Sequence, residues 1–272
     1  MLKFSALQHW LQSASLDGFR PEHAQPFVAF NPETARRFYA GLGRLAQHLD
    51  VRVEGLEHIP PGRALIVANH SFGWDVLFVM AAIHNQLGRP VWALGEHLWW
   101  KFPYVRRLAA AVGTVDGTPE NVAALLDHDE LVLVQPGGLR EALKPRELRY
   151  RLLWGKRQGF VRAAIASQAP ILPLAAVGGD ELFSLLGNAY QRGERWLHRR
   201  GVPIPLPSRI LPIPHFVPWR FSVGELIPAR FAREQANDPA ALRQLRHEVE
   251  GALHELLEVE LARRAGIDLP LL

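Results

Sequence analysis

The chain has 272 residues, of which 48% are hydrophobic and 21% charged, a composition that excludes a disordered protein and fits one large domain or a domain with an appendage. It contains no cysteine, so disulfides, thiolate metal sites and cysteine nucleophiles are excluded. Lys and Arg outnumber Asp and Glu by only 31 to 27, and this small excess, without a recognisable nucleic-acid-binding motif, argues against nucleic acid as a partner.

Residues 1–50 are predicted to form an N-terminal helical segment that packs on the core of the protein or on a membrane surface. Within it, a helix is predicted to begin after Asn31, a good N-cap followed by a proline, and to run to about Leu49. The N-terminus lacks the continuous apolar stretch of a signal peptide, and no run approaches the roughly 20 apolar residues of a membrane-spanning helix. The sequence therefore predicts a soluble or peripheral protein.

From Val51 onward, short β-branched or aliphatic runs alternate with helical stretches, a pattern typical of α/β proteins. The predicted strands are Val51–Val53, Ala64–Ala68, Val91–Ala93, Leu131–Gln135, Ile171–Val177 and Phe221–Leu226. The predicted helices are Val76–Leu87, His97–Ala110, Pro119–Leu126, Gly159–Ser167 and Glu181–Arg200. We therefore expect residues 51–272 to form one α/β domain with a mostly parallel central sheet flanked by helices.

The last part of this domain contains a proline-rich apolar segment, residues 201–220, which is predicted to be extended and to lack a regular element. After it, Asp238-Pro239 opens a predicted C-terminal helix that ends at Gly266.

The strand predicted at Ala64–Ala68 is followed by Asn69 and His70, and Asp75 comes five residues after the histidine. Ligands of open α/β sheets bind outside the carboxyl ends of the strands, where His70 is expected to lie. Gly73 allows a tight turn that would bring Asp75 back to the histidine. A carboxylate bonded to one ring nitrogen leaves the other nitrogen to act as a base. A histidine that only caps the turn is the alternative.

Four segments, in this order, resemble the sequence blocks of the glycerolipid and lysophospholipid acyltransferase superfamily. Residues 69–75, NHSFGWD, resemble its motif of a histidine and an aspartate separated by four residues. The other segments are residues 112–116 (VGTVD), 133–142 (LVQPGGLREA) and 169–174 (APILPL). The resemblance covers about Val51 to Leu226, and four blocks in the right order are more specific than any one of them.

The third block differs from that of the lysophosphatidate acyltransferases, Pro-Glu-Gly-Thr-Arg. Gly137 stands in place of the glutamate and Leu139 in place of the threonine, while Arg140 is kept. Pro-Gly-Gly followed by Glu-Ala is closer to the monoacylglycerol and diacylglycerol acyltransferase branch. The resemblance therefore favours a neutral lipid alcohol over a phosphorylated acceptor.

The resemblance implies transfer of a fatty acyl group from an acyl thioester, acyl-coenzyme A or acyl carrier protein, to a hydroxyl of a glycerolipid or related lipid alcohol. His70 would be the general base, oriented by Asp75. The implied substrate-binding residues are Asn69, Gly137, Gly138, Arg140 and Glu141. The amides of the two glycines are candidate donors to the oxyanion.

No metal and no cofactor besides the thioester co-substrate is expected. The expected partners are the acyl thioester donor, the lipid alcohol acceptor and a membrane surface, and the expected localisation is cytoplasmic with peripheral membrane association. Other interpretations remain open. The Gly-Gly pair could be a plain strand-to-loop turn, Arg140 and Glu141 could form a surface ion pair, and the fold could serve a non-catalytic lipid-binding protein.

Overall fold

Nine strands lie in the part of the chain that the computed structural model describes, which comprises residues 25–71, 75–95, 100, 103–142, 144–181, 185–188, 205–207 and 217–267. The strands are β1 (Val51–Glu54), β2 (Ala64–Ala68), β3 (Val91–Gly95), β4 (Thr114–Asp116), β5 (Leu131–Val134), β6 (Ile171–Val177), β7 (Leu185–Asn188), β8 (Pro205–Pro207) and β9 (Trp219–Val223). Seven of them form one sheet in the order β1-β9-β6-β2-β5-β3-β4, while β7 and β8 pair with each other.

Five neighbouring strands, β6, β2, β5, β3 and β4, run parallel, whereas β9 is antiparallel to β6 and parallel to β1. Parallel strands are covered on both faces, which is why β2 and β6 are apolar and buried along their whole length. The predicted α/β fold with a mostly parallel central sheet is therefore confirmed.

Seven helices of the described residues surround this sheet. They are α1 (Pro32–His48), α2 (Asp75–Leu87), α3 (Pro103–Ala111), α4 (Pro119–Asp127), α5 (Gly138–Ala142), α6 (Gly159–Ser167) and α7 (Pro239–Arg264). The side chains of Asn31, Thr118 and Asp238 each accept a backbone N–H in the first turn of α1, α4 and α7, and each is followed by a proline. These three starts, and the C-terminal helix, match the sequence prediction.

Alternate residues of β2 face opposite layers of helices. Leu65 belongs to a core that includes apolar side chains of α4, α6 and α7, whereas Ile66 belongs to a second core that includes side chains of α1 and α2. Tyr39 of α1 is buried in the second core, and its hydroxyl donates to the carbonyl oxygen of Val112 at 2.5 Å. Helix α1 therefore packs into the second core, chiefly against α2, through an apolar face with one satisfied polar group.

The prediction of a helix over Glu181–Arg200 is wrong where the structure describes that segment. Leu185–Asn188 form β7, which pairs antiparallel with β8, a strand inside the proline-rich segment that was expected to lack regular structure. A pairing this short depends on its partner strand, which no local pattern reveals. The prolines of β8 are compatible with a strand that has a neighbour on one side. Residues 189–200 lie outside the described residues.

Smaller differences concern element boundaries. Strand β9 begins two residues before the start, and ends three residues before the end, of the predicted range Phe221–Leu226. The sequence does not predict the short elements β4 and α5. Within the described residues, no helix combines the length and the apolar composition that crossing a bilayer requires. The division into residues 1–50 and 51–272 stays a prediction, because residues 1–24 lie outside the described part.

Candidate active site

The carboxyl ends of β6, β2 and β5 lie side by side, because these strands are parallel neighbours in the sheet. The loop after β2 carries His70, the loop after β5 carries Gly137 and Gly138, and the turn after β6 carries Gly179 and Asp180. Three segments that are distant in sequence therefore meet at the edge where α/β proteins bind ligands.

His70 lines a cavity of about 360 Å³, which extends over the face of the sheet that α4 and α6 cover. A few polar groups in a largely apolar wall are typical of sites for organic ligands. The apolar lining includes Leu65, Leu94, Val122, Val134, Phe160 and Ala163, and the polar lining includes Gln135 and Arg157. The histidine is only 8% exposed, so its imidazole is shielded from bulk water.

Asp75 is the first residue of α2, and its carboxylate is buried beside the loop that carries His70. Its Oδ2 atom accepts hydrogen bonds from the backbone amide of Ser71 at 3.2 Å and from the Ser71 hydroxyl at 2.5 Å. Gly179 packs against this turn so closely that a Cβ at that position would lie 2.0 Å from Ser71 Oγ. The structure thus brings the two predicted catalytic residues into one buried site.

No hydrogen bond joins His70 to Asp75. Among the described residues, His70 Nδ1 and Asp75 Oδ1 are both buried and lack a hydrogen-bond partner. A buried polar group without a partner costs about 1–3 kcal/mol. Burial lowers the pKa of His70 to about 4, although the negative charge of Asp75 opposes this shift. The imidazole is therefore neutral at neutral pH, the form that a general base requires.

The Gly137-Gly138 pair forms a tight turn at the start of α5. The amide of Gly138 donates to the carbonyl oxygen of Gln135 at 3.0 Å, and its φ of 52° lies in the left-handed region that favours glycine. Gly137 contacts Glu141, so that a Cβ at Gly137 would lie 2.0 Å from Glu141 Oε2. The guanidinium of Arg157 donates to the carbonyl oxygen of Gly137 at 2.5 Å. The Gly138 amide is thus engaged in the turn, and the oxyanion role of the Gly137 amide stays a prediction.

Gly138 lines the cavity but Gly137 is not among its described lining residues, and neither are the other three predicted substrate-binding residues, Asn69, Arg140 and Glu141. The buried amide of Asn69 donates to the carbonyl oxygen of Ala176 at 2.9 Å and accepts its N–H at 2.7 Å, which ties the end of β2 to β6. Arg140 is exposed, and its guanidinium lies beside Gly155. A surface ion pair of Arg140 with Glu141 is excluded, because Glu141 is buried. Substrate contacts of these three residues stay predictions.

Two charged residues of the site, Lys144 and Asp180, were missed by sequence reasoning. Lys144 Nζ lies 2.8 Å from Asp180 Oδ1, and the two side chains are only 2% and 3% exposed. The same ammonium donates to the carbonyl oxygen of His70 at 2.8 Å. The position of Asp180 just after β6, at the same sheet edge as His70, was the one available signal.

Comparisons with known proteins bear on the class to which this protein belongs. A family model described as Acyltransferase matches residues 50–177. A mouse protein, "DGAT1/2-independent enzyme synthesizing storage lipids", is 34% identical over 169 residues, which are 61% of this chain and 50% of the mouse protein. An uncharacterized protein of Mycobacterium tuberculosis is 31% identical over 232 residues, which are 80% of this chain and 63% of that protein.

A solved structure of similar fold is the 1-acyl-sn-glycerophosphate acyltransferase PlsC from Thermotoga maritima, with a TM-score of 0.55 over 82% of this chain and 78% of PlsC. Its identity of 18% supports the fold alone. The chain spans half the length of the mouse relative and 63% of the length of the M. tuberculosis relative. Residues 50–177 match the Acyltransferase family model, in agreement with the four sequence blocks that resemble the glycerolipid acyltransferase superfamily, whereas the closer resemblance to the monoacylglycerol and diacylglycerol branch stays a prediction.

Proposed function

We propose that the protein is an O-acyltransferase that moves a fatty acyl group from an acyl thioester to a hydroxyl of a glycerolipid or related lipid alcohol. The observation that carries this proposal is a buried, neutral His70 on an apolar cavity, with the carboxylate of Asp75 beside it. Such a cavity suits an acyl chain, and such a histidine suits the activation of an alcohol.

In the proposed reaction, His70 removes the hydroxyl proton while the alcohol oxygen attacks the thioester carbonyl carbon. A carbon–oxygen bond forms, the carbon–sulfur bond then breaks, and the imidazolium returns its proton to the leaving thiolate. No covalent intermediate with the protein is required. The negative charge of Asp75 stabilises the transient imidazolium. Because catalytic hydrogen bonds are often unformed before substrate binds, we expect His70 Nδ1 and Asp75 Oδ1 to pair in the complex.

The substrates and the location follow from the same proposal. The donor is a thioester of coenzyme A or of acyl carrier protein, and no other cofactor or metal takes part. The third block, altered at Gly137 and Leu139, resembles that of the monoacylglycerol and diacylglycerol branch and so favours a neutral acceptor such as a diacylglycerol. Because both the acceptor and the product are lipids, the protein would work at the cytoplasmic surface of a membrane as a peripheral protein.

The proposal is tested with purified protein, radiolabelled acyl-coenzyme A or acyl carrier protein, and vesicles that contain diacylglycerol, monoacylglycerol or lysophosphatidate. Wild type should acylate at least one acceptor, and His70→Ala should abolish turnover while its circular dichroism spectrum is unchanged. The matched control is His254→Ala, since His254 is exposed on α7, remote in sequence from the site. Full turnover by His70→Ala contradicts the assigned base. Lipid binding by wild type without acylation of any acceptor favours a non-catalytic lipid-binding protein.

A further inference from the structure

Two charged side chains form hydrogen bonds with the backbone of His70, one on each side of its Cα atom. Its N–H donates to Glu141 Oε1 at 2.7 Å, and its carbonyl oxygen accepts from Lys144 Nζ at 2.8 Å. These two bonds fix the peptide groups before and after the Cα atom, and therefore the direction in which the imidazole leaves the backbone. Neither Glu141 nor Lys144 lines the cavity among the described residues, so both act on the site through His70.

Lys144 and Glu141 each form a further ion pair or hydrogen bond with another segment. Lys144 Nζ pairs with Asp180 Oδ1 at 2.8 Å, and Asp180 Oδ2 accepts the backbone N–H of Tyr150 at 2.7 Å. Glu141 Oε2 accepts the backbone N–H of Leu153 at 2.8 Å. The loop that follows α5 and the turn after β6 are thereby tied to the histidine.

Burying these charged groups costs free energy of hydration, so their presence indicates a role in function as well as in stability. A buried ion pair loses so much hydration that replacing it with apolar side chains is often neutral or stabilising. Burial raises the pKa of Glu141 to about 7 and also raises that of Asp180, while the positive charge of Lys144 opposes both shifts. Charges held at such a cost, one of them 2.8 Å from the backbone of a proposed base, favour a functional role.

We propose that Glu141, Lys144 and Asp180 form a positioning clamp that holds the backbone of His70 and aims its imidazole at the substrate hydroxyl. This inference rests on the proposed acyl transfer. None of the three clamp residues is among the described residues that line the cavity, so we assign them as positioning residues. Among the described residues, the charged groups around the histidine are Asp75 from α2, Glu141 and Lys144 from α5 and the loop after it, Asp180 from the turn after β6, and Arg157, which lines the same cavity.

The clamp is tested with Lys144→Met and with the double variant Lys144→Met/Asp180→Asn, which removes both charges of the buried ion pair. The amide that replaces the carboxylate in the double variant still offers an acceptor to the Tyr150 N–H, so we expect this variant to recover most of the thermal stability that Lys144→Met loses. The His70 carbonyl still lacks its ammonium donor, so kcat should remain about tenfold or more below wild type, with KM within about threefold. The matched control is Lys156→Met, which removes an exposed lysine.

Two further readouts separate positioning from stability. Loss of the positive charge of Lys144 favours the imidazolium, so the acidic limb of the pH–rate profile, and the titration of His70 followed by nuclear magnetic resonance, should move to higher pH in Lys144→Met. Recovery of wild-type kcat together with stability in the double variant, or an unmoved His70 titration in Lys144→Met, overturns the clamp. If the wild-type protein acylates no acceptor, the proposed function is contradicted, and the clamp then has no catalytic role.

Discussion

At the scale of single residues, the environment of His70 determines how the rate depends on pH. Burial lowers its pKa from 6.5 to about 4, so the neutral base persists as the pH falls through the ordinary histidine range. A base acts only when deprotonated, so we expect kcat/KM to be constant from about pH 7 to about pH 5 and to fall below that. Initial rates of acyl transfer in overlapping buffers check this profile. An acidic limb centred at or above pH 6.5 would show that the imidazole is hydrated in the working protein.

Asp75 is expected to affect both the maximal rate and the pH at which the rate falls. In Asp75→Asn the imidazolium loses its negative partner, so kcat should fall by about 100-fold or more. Its pKa should fall further, because Asp75 raises the pKa of His70 in the wild type. The acidic limb therefore moves to lower pH, opposite to the shift expected for Lys144→Met. Asp127→Asn, an exposed substitution on α4, is the matched control, and equal rates in the two variants contradict the proposed role.

Gly179 is expected to matter through the space it leaves for Ser71. A Cβ at this position would lie 2.0 Å from Ser71 Oγ and 2.8 Å from Ser71 Cβ, so Gly179→Ala must displace the turn that holds Asp75. We expect a loss of about 1–3 kcal/mol in the free energy of unfolding and a lower kcat. Urea denaturation and turnover measure the two effects. Unchanged values of both would mean that the turn after β2 adapts freely.

The residues of the site differ in how well the sequence reveals them. His70, Asp75 and the Gly137-Gly138 pair belong to short blocks, so a resemblance can find them. The contact of Lys144 with Asp180 joins a loop to the end of another strand, and only the sheet order brings them together. The sequence also suggests a His70–Asp75 hydrogen bond, which is absent between these described side chains. Asp75 Oδ2 accepts from Ser71 instead, and Asp75 Oδ1 has no partner.

At the scale of elements, the sequence predicts the helices and strands that carry a local signal. It misses those that depend on pairing with a distant segment. Helices α1, α4 and α7 begin where a capping side chain precedes a proline, and that signal lies within a few residues. Strands β2 and β6 are recognisable because burial on both faces makes them continuously apolar. Strand β7 exists through its pairing with β8, and α5 is too short to show a helical period.

Helix α7 offers a matched pair of substitutions that tests its packing. Gly251 is exposed in the helix interior, and a Cβ there would meet nothing within 4 Å, so Gly251→Ala should add about 0.5–1 kcal/mol to the free energy of unfolding. Leu253 is fully buried two positions later, so Leu253→Ala should remove about 2–5 kcal/mol. Chemical denaturation compares them. Equal effects of the two changes would contradict the described burial of this helix.

At the scale of the whole molecule, strand direction decides where the site can form. The five parallel strands present their carboxyl ends on one edge, whereas β9 and β1 run the other way. The site therefore uses the loops after β6, β2 and β5 and the helical layer of α4 and α6. The layer of α1 and α2 packs on the opposite face and closes the second core. The cavity thus lies on the face that α4 and α6 cover, and side chains of α1 and α2 pack against the other face.

This separation predicts that the cavity can be narrowed without unfolding the protein. Ala163 of α6 lines the cavity and is partly exposed, so Ala163→Phe adds a ring to the open space. If the acyl chain occupies this space, kcat/KM for a long-chain donor should fall about tenfold or more while that for a short-chain donor changes less. Competition between long-chain and short-chain thioesters in one assay measures the ratio directly. The control, Ala240→Phe, places the same ring on the exposed first turn of α7 and should leave the ratio unchanged. An equal loss for both chain lengths in Ala163→Phe would place the acyl chain elsewhere and leave this cavity to the head of the donor or the acceptor.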